Sequence, residues 1–211
     1  MGKLPVSVLL AEDDDDVTTA SRVIGAAFDH LKPSRYLTPD EQTRRELFPG
    51  FFELAYIRPA HAAGMLYVTA DRMAAAAWIP ITPGQPKSPA DVSADRTVEQ
   101  ILRRAIGPDL WPNFAAFDQR LGAAHAAHIR PHHFLGVLGA HPALWRQGSG
   151  TALLNAHYEV LDARGIPGYL EAAEPDLVAY YTIHGGWKET GQRIILPDHT
   201  VMTPMWREPR P

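Results

Sequence analysis

Between His141 and Leu154 the chain reads HPALWRQGSGTALL, and this stretch holds the residues best suited to binding chemistry. Gly148 and Gly150 alternate with Ser149 and Thr151. Glycine carries no Cβ to keep a ligand off the backbone, and the first amides of a helix have no internal acceptors. A glycine turn that opens a helix therefore gathers several N–H groups at the positive end of the helix dipole, which suits a phosphate or pyrophosphate. A nucleoside-triphosphate turn would need lysine before the Ser/Thr, but Thr151 follows Gly150 directly. A dinucleotide fingerprint would need glycine where Leu153 stands. A tight turn with no ligand is the remaining alternative for these two glycines.

Other clusters are less suited to chemistry. The run Glu12-Asp13-Asp14-Asp15-Asp16 lies just before an amphipathic pattern, where aspartates cap a helix and complement its dipole. His125 and His128 could share a helix face, yet the local sequence supplies no further ligands, so they are expected to be surface or helix-end histidines and no metal is expected. The chain has no cysteine, which excludes disulfides, thiolate metal sites and a cysteine nucleophile, and fits a reducing compartment. Twenty Lys and Arg against 24 Asp and Glu give a net charge of −4, no basis for expecting nucleic acid or an anionic membrane as partner. No secretory or membrane-length apolar run is evident, so a cytoplasmic protein is expected. The 211 residues, 45% hydrophobic and 21% charged, suit one globular domain spanning 1–211.

The glycine turn needs a strand before it and a helix after it. Phe134, Leu135, Val137 and Leu138 suit a buried strand, Pro142 ends its pairing, and Ala152, Leu153, Ala156, Val160 and Leu161 recur at helical spacing. Upstream, Val6, Val8, Leu9 and Leu10 suggest a first strand, and Val17, Ala20, Val23, Ile24 and Phe28 a helix. Residues 39–56 suggest a second helix, kinked at Pro49-Gly50. Residues 65–69 and 73–79 suggest a hairpin around Asp71-Arg72, with the short span before Pro80 overriding the helical preference of Ala74–Ala77. Proline-rich 80–95 is expected to be a surface loop, followed by helices over 98–106 and 114–124 that are broken at Gly107-Pro108. After the central helix, Arg164–Gly168 is a stop, 169–173 a strand, 176–184 a short helix, and the remainder a terminal strand pair. The order β-α-α-β-β, helical insertion at about 96–128, then β-α-β-α-β-β predicts an α/β (α+β) domain with a mixed sheet of about six or seven strands.

With Gly148-x-Gly150 following a proline-terminated strand, the sequence resembles the GNAT superfamily of acyl-CoA-dependent N-acyltransferases, whose signature Q/R-x-x-G-x-G/A lies between the fourth strand and the next helix. Trp145 stands at the first signature position, with Arg146 after it. The element order matches that family along nearly the whole chain. Val178 to Trp187 is similar to its N-V-x-x-Y-E-x-x-G-F helix, with one extra glycine, Trp for Phe, and Leu177 for asparagine. Glu171 and the helical insertion are similar to puromycin N-acetyltransferase and related bacterial proteins.

The resemblance implies that acetyl-CoA is the acyl donor, held by Leu138, Gly139, Ala140, Arg146, Gln147, Gly148, Ser149, Gly150 and Thr151. The acceptor would be a small-molecule amine, bound near Phe28, Tyr36 and Phe117. It further implies direct transfer to a primary amine, with a backbone N–H near Leu138 polarising the thioester, Glu171 as base, and Tyr181, or Tyr180 if the extra glycine falls inside the helix, as the acid for the leaving thiolate. A monomer or homodimer is expected. The alternative is a non-catalytic acyl-CoA-binding domain, motivated by Trp145 and by the altered Tyr-to-Gly-Trp spacing.

Overall fold

In a computed structural model, residues 6–86 and 88–211 are described. The elements are β1 (Val8–Leu10), α1 (Asp14–Phe28), α2 (Lys32–Leu37), α3 (Glu41–Phe52), a π-helical turn (Glu53–Ile57), α4 (Arg58–Ala62), β2 (Leu66–Thr69) and β3 (Ala74–Ile81). There follow α5 (Pro89–His125), β4 (His132–Ala140), a 3-10 turn (Pro142–Leu144), α6 (Ser149–Arg164), β5 (Gly168–Ala172), α7 (Pro175–Gly185), β6 (Lys188–Glu189), β7 (Ile194–Ile195) and β8 (Val201–Arg207). Among the described residues these strands form one sheet in the order β1-β2-β3-β4-β5-β8-β6, with β7 on β8. The β4–β5 pair is parallel and its neighbours are antiparallel.

The alanine run forms the predicted strand because both of its faces are covered. Ala74, Ala76 and Trp78 belong to the core on the α6–α7 side, and Ala75 and Ala77 to the core on the α1–α3 side. A central strand buried twice needs small side chains where helices approach closely, and the period-two alternation supplies them. Within the α6-side core His157, fully buried, stacks on Trp78 at 4.2 Å and joins His133 Nδ1 (2.9 Å) and the Tyr67 hydroxyl (3.1 Å). Burial lowers the His157 imidazole to about 3, so it is neutral at physiological pH.

Some expectations need correction. Residues 80–95 are not all loop: α5 begins at Pro89, where Ser88 and Asp91 form a capping box, so the insertion spans 89–125 and not 96–128. The break inside it is at the expected place, since Gly107 has φ 79° and ψ 165°. The helix over 39–56 runs through Pro49-Gly50, and its departure from α geometry is the π-helical turn that follows. Pro49 lies against Gly25, where a Cβ would come within 3.1 Å of the proline ring, so close packing of α1 on α3 accommodates it. Residues 32–37, which include the acceptor candidate Tyr36, form α2, a helix that was not expected.

Arg207 ties three elements at one end of the sheet. It is 2% exposed, pairs with both Asp162 oxygens at 2.8 Å, donates to the Gly185 carbonyl and sits 4.3 Å over the Tyr158 ring. These contacts join β8 to α6 and α7.

Candidate active site

The site begins where the sheet parts. Strands β4 and β5 pair only at His133–Gly168 and Phe134–Tyr169, although β4 continues to Ala140 and β5 to Ala172. Beyond Phe134 the strands diverge, and a cavity of about 650 Å³ fills the fork. It is lined by Leu135–Ala140 of β4, Leu170 and Glu171 of β5, and the Leu144–Thr151 segment.

At Gly136 the β3–β4 register slips: Ala77 faces Val137, whereas Trp78 faces Leu135. This bulge puts Leu135 and Val137 into opposite cores, which unbroken alternation would forbid. A Cβ at Gly136 would lie 2.5 Å from the ring of Tyr56, which reaches over β4 from the π-helical turn. Neither residue stood out in the sequence. Gly136 offered one signal, a glycine inside a strand, and Tyr56 none.

At one end of the cavity the turn holds Arg146 at φ 62° and Gly148 at φ 95°. Helices α1, α3 and α5 are capped by the side chains of Asp13, Asp40 and Ser88, but α6 starts at Gly148 with no side-chain cap. Its first amides lack intrahelical acceptors and line the cavity, an arrangement that accepts an anion. A Cβ on Gly150 would come 2.8 Å from the Tyr180 hydroxyl, which is itself 3.2 Å from Thr151 Oγ1. The glycine thus lets the Tyr180 hydroxyl of α7 approach the first turn of α6 closely. Trp145 leaves this backbone open: its indole N–H donates to the Ala140 carbonyl at 2.9 Å, and its ring packs on His30 at 4.8 Å on the cavity rim.

Glu171 projects into the fork. Part of its surface is accessible, but to the cavity, and protein surrounds the carboxyl; its Oε1 is buried with no hydrogen-bond partner. Burial pushes the carboxyl up to about 8, opposed in part by the nearby Tyr169 hydroxyl. The Tyr169 hydroxyl is likewise buried and does not meet hydrogen-bond geometry. The Tyr56 phenol, enclosed and facing Glu171, is raised far above its usual range.

Of the other sequence candidates, Leu138, Gly139, Ala140, Arg146 and Gln147 line the cavity with the glycine turn, as do Phe28 and Phe117. Tyr36 does not; it packs in the apolar cluster beneath Phe28 and Phe117, and its carbonyl accepts a bond from Asn113 at 3.0 Å. Tyr180 and Tyr181 both border the cavity. Tyr180 reaches the glycine turn, whereas Tyr181, 7% exposed, packs in the core that includes Leu135 and Leu170 just past the parting of the strands. Burial raises the Tyr181 phenol strongly. His125 is half-buried at the end of α5, 2.6 Å from His132 and stacked on Tyr169 at 4.3 Å; burial lowers it to about 4. Among the described residues no helix is long and apolar enough to cross a membrane.

No protein-family model matches the sequence. Solved structures do match. The structure of histone acetyltransferase HPA2 and related acetyltransferase from Corynebacterium glutamicum is 19% identical, with a TM-score of 0.60 over 99% of this chain and 98% of that one. A polyamine N-acetyltransferase of Drosophila melanogaster is 13% identical, with a TM-score of 0.65 over 97% of this chain and 100% of that one. A GCN5-related N-acetyltransferase from Rhodopseudomonas palustris is 11% identical, with a TM-score of 0.56 over 99% of this chain and 98% of that one. The chain has the GNAT acetyltransferase fold. The forked sheet and the bulged β4 are thus set within a fold that those structures share over nearly all of the sequence. The comparison with puromycin N-acetyltransferase, resting on Glu171 and the insertion alone, is only a loose one.

Proposed function

We propose that the protein is an N-acetyltransferase that moves an acetyl group from acetyl-CoA directly to the primary amine of a small molecule. The observation that carries this reading is the fork itself: an anion-accepting glycine turn at one end and, in the same continuous cavity, the Glu171 carboxyl with its Oε1 buried and without a hydrogen-bond partner. Structural neighbours named as acetyltransferases of polyamines and agmatine support an amine acceptor. We place the donor's pyrophosphate on the amides of Gly148–Thr151 and its acyl arm along Leu135–Ala140, where β4 has no partner strand on its β5 side.

The residues divide the chemistry. An arriving ammonium pairs with the Glu171 carboxylate, which accepts its proton and releases a nucleophilic nitrogen. The nitrogen forms a bond to the acetyl carbon while the carbon–sulfur bond breaks. Backbone N–H groups of β4 near Gly136–Leu138 stabilise the oxygen charge that develops. Tyr181, held neutral by burial, is a poor proton source for a thiolate whose acid form has a pKa of about 8.5. We therefore assign it a hydrogen bond to the departing sulfur; the proton that sulfur keeps comes from the attacking nitrogen. Tyr180 helps hold the donor at the glycine turn.

The test is acetyl-CoA turnover with an amine panel, followed by thiol release and mass spectrometry. The chain contains no cysteine, so a thiol reagent reads only the coenzyme. Acetylated amine above the uncatalysed background is expected. Tight acetyl-CoA binding with no product from any amine would instead establish the non-catalytic alternative.

A further inference from the structure

We infer that the acceptor is a lipophilic monoamine, one ammonium on an aryl or alkyl body, and not a polyamine or a basic peptide. The inference rests on the acetyltransferase reading and narrows it.

Beyond the fork, the wall formed by α1, α3, the π-helical turn and α5 presents Phe28, Phe51, Phe52, Tyr56, Phe117 and Leu121 to the cavity. The rings brace one another: Phe28 and Phe52 lie 4.8 Å apart, Phe51 and Phe52 5.2 Å, and Phe51 and Phe114 5.0 Å. Tilted and edge-on contacts at these separations give a preformed apolar wall. Buried Arg44 fixes its outer edge, with Nε 2.8 Å from Asp29 and Nη1 2.8 Å from the Thr38 carbonyl, which ties α3 to the ends of α1 and α2.

Charge narrows the choice further. Among the described residues lining the cavity, Glu171 is the one carboxylic acid. The acidic residues Asp14 and Asp16 sit at the opposite end of α1, about 20 Å along the helix from Phe28 at 1.5 Å per residue. Asp14 pairs with Arg58, and Asp16 with Arg72. A substrate with one cationic centre meets Glu171 and leaves its body against the rings. Asp118, whose charge reaches the Tyr56 phenol, does not line the cavity, so a second ammonium would be desolvated against phenyl groups with no second carboxylate in contact, and cation–π attraction recovers only part of that cost.

Specificity is read by offering acetyl-CoA with 2-phenylethylamine, hexylamine, spermidine, agmatine or a lysine-containing basic peptide. The kcat/KM for phenylethylamine is expected to exceed that for spermidine by roughly ten- to a hundredfold, the scale on which a matched apolar pocket discriminates. Preferred transfer to spermidine, agmatine or the peptide would overturn the inference while leaving the acetyltransferase reading intact. If no amine is acetylated, that reading fails, and calorimetric binding to the unmodified protein decides the acceptor chemistry. Phenylethylamine binding tighter than spermidine sustains the inference; the reverse, or no arylalkylamine binding, overturns it. Phe117→Asp, at a half-buried position where a carboxylate can be hydrated, supplies the missing second charge. In a variant that keeps its fold by circular dichroism, it is expected to raise the spermidine-to-phenylethylamine ratio about tenfold. An unchanged ratio would count against the wall as the selector.

Discussion

Replacing Glu171 by glutamine separates its electrostatic burden from its chemistry. The carboxyl rises from 4.5 to about 8 in the folded protein. At about 1.36 kcal/mol per unit, the ionised folded form carries a penalty on the order of 5 kcal/mol, which water in the cavity reduces to roughly 3. A raised carboxyl pKa means that the folded state holds a proton the unfolded state has lost. Stability is therefore fully present below pH 4.5 and declines until the folded carboxyl ionises at about 8. Glu171→Gln lacks this decline. About 1.4 of that roughly 3 kcal/mol is already lost between pH 4.5 and 5.5, so melting curves at pH 5.5 and 8.5 should show the wild type losing roughly 3–6 °C more than the variant, at 2–4 °C per kcal/mol for a domain of this size. Any other groups that titrate in the interval act on both proteins alike. In the same variant kcat should fall by about 10²–10⁴-fold, and the wild-type inflection of kcat/KM near pH 8 should vanish. Parallel melting losses in the two proteins would refute the desolvated carboxyl. Retention of the inflection in the variant would assign the base to another group.

Further perturbations address the rest of the site and the scaffold. Acetyl-CoA at a hundredfold excess over its Kd should stabilise the wild type by about 2.7 kcal/mol, and Gly150→Asp should abolish the thermal shift by placing bulk and negative charge at the anion site; a full shift in the folded variant would put the cradle elsewhere. Tyr180→Phe should weaken acetyl-CoA binding, whereas Tyr181→Phe should lower kcat with little change in donor affinity; full activity in both and in the double variant would leave the thiolate to other donors. Phe117→Ala should raise the acceptor KM more than it alters donor binding, and a Tyr36 substitution should do so only through packing; equal effects on both substrates would contradict the division of the cavity. Asp162→Asn should lower stability by about 3–5 kcal/mol in urea melts, because it strands the buried Arg207 charge; a loss under about 1 kcal/mol would mean that solvent replaces the pair. As pH falls from 6.5 toward 3, proton uptake by unfolded but not folded His157 should cost stability, and a variant with glutamine at His157 should show a shallower acid limb in melts. An identical limb would exclude His157 as a contributor.

Much of the site's scaffold was legible because it depends on local chemistry. Strand, proline, glycine turn and helix follow one another from Phe134 to Leu154 without long-range information, and so does the break at Gly107. What escaped notice depends on tertiary packing. Nothing local marks Tyr56 as a cavity residue, since its place follows from a π-helical turn lying over Gly136. The start of α5 was obscured because the surrounding prolines concealed a Ser-x-x-Asp cap, and Pro89 is tolerated at the first turn, where its missing N–H costs nothing. The roles of Tyr180 and Tyr181 were open in the sequence for a geometric reason. Adjacent helical residues point about 100° apart, and only the packing of α7 on α6 decides which hydroxyl reaches the turn.

The parting of β4 and β5 also has a mechanical side. The halves β1–β4 and β5–β8 meet along a seam stitched by two residue pairs, and each half carries its own helices. A ligand with amides along its length, lying in that seam, would supply hydrogen bonds to both lips and act as a removable stitch. Amide exchange in β5, which borders the seam, should then slow more than in β2 and β3, which lie away from it, when the donor binds. Turnover would loosen and refasten the sheet once per cycle, which makes the rate of product release a property of the seam's stiffness as much as of the pocket's affinity.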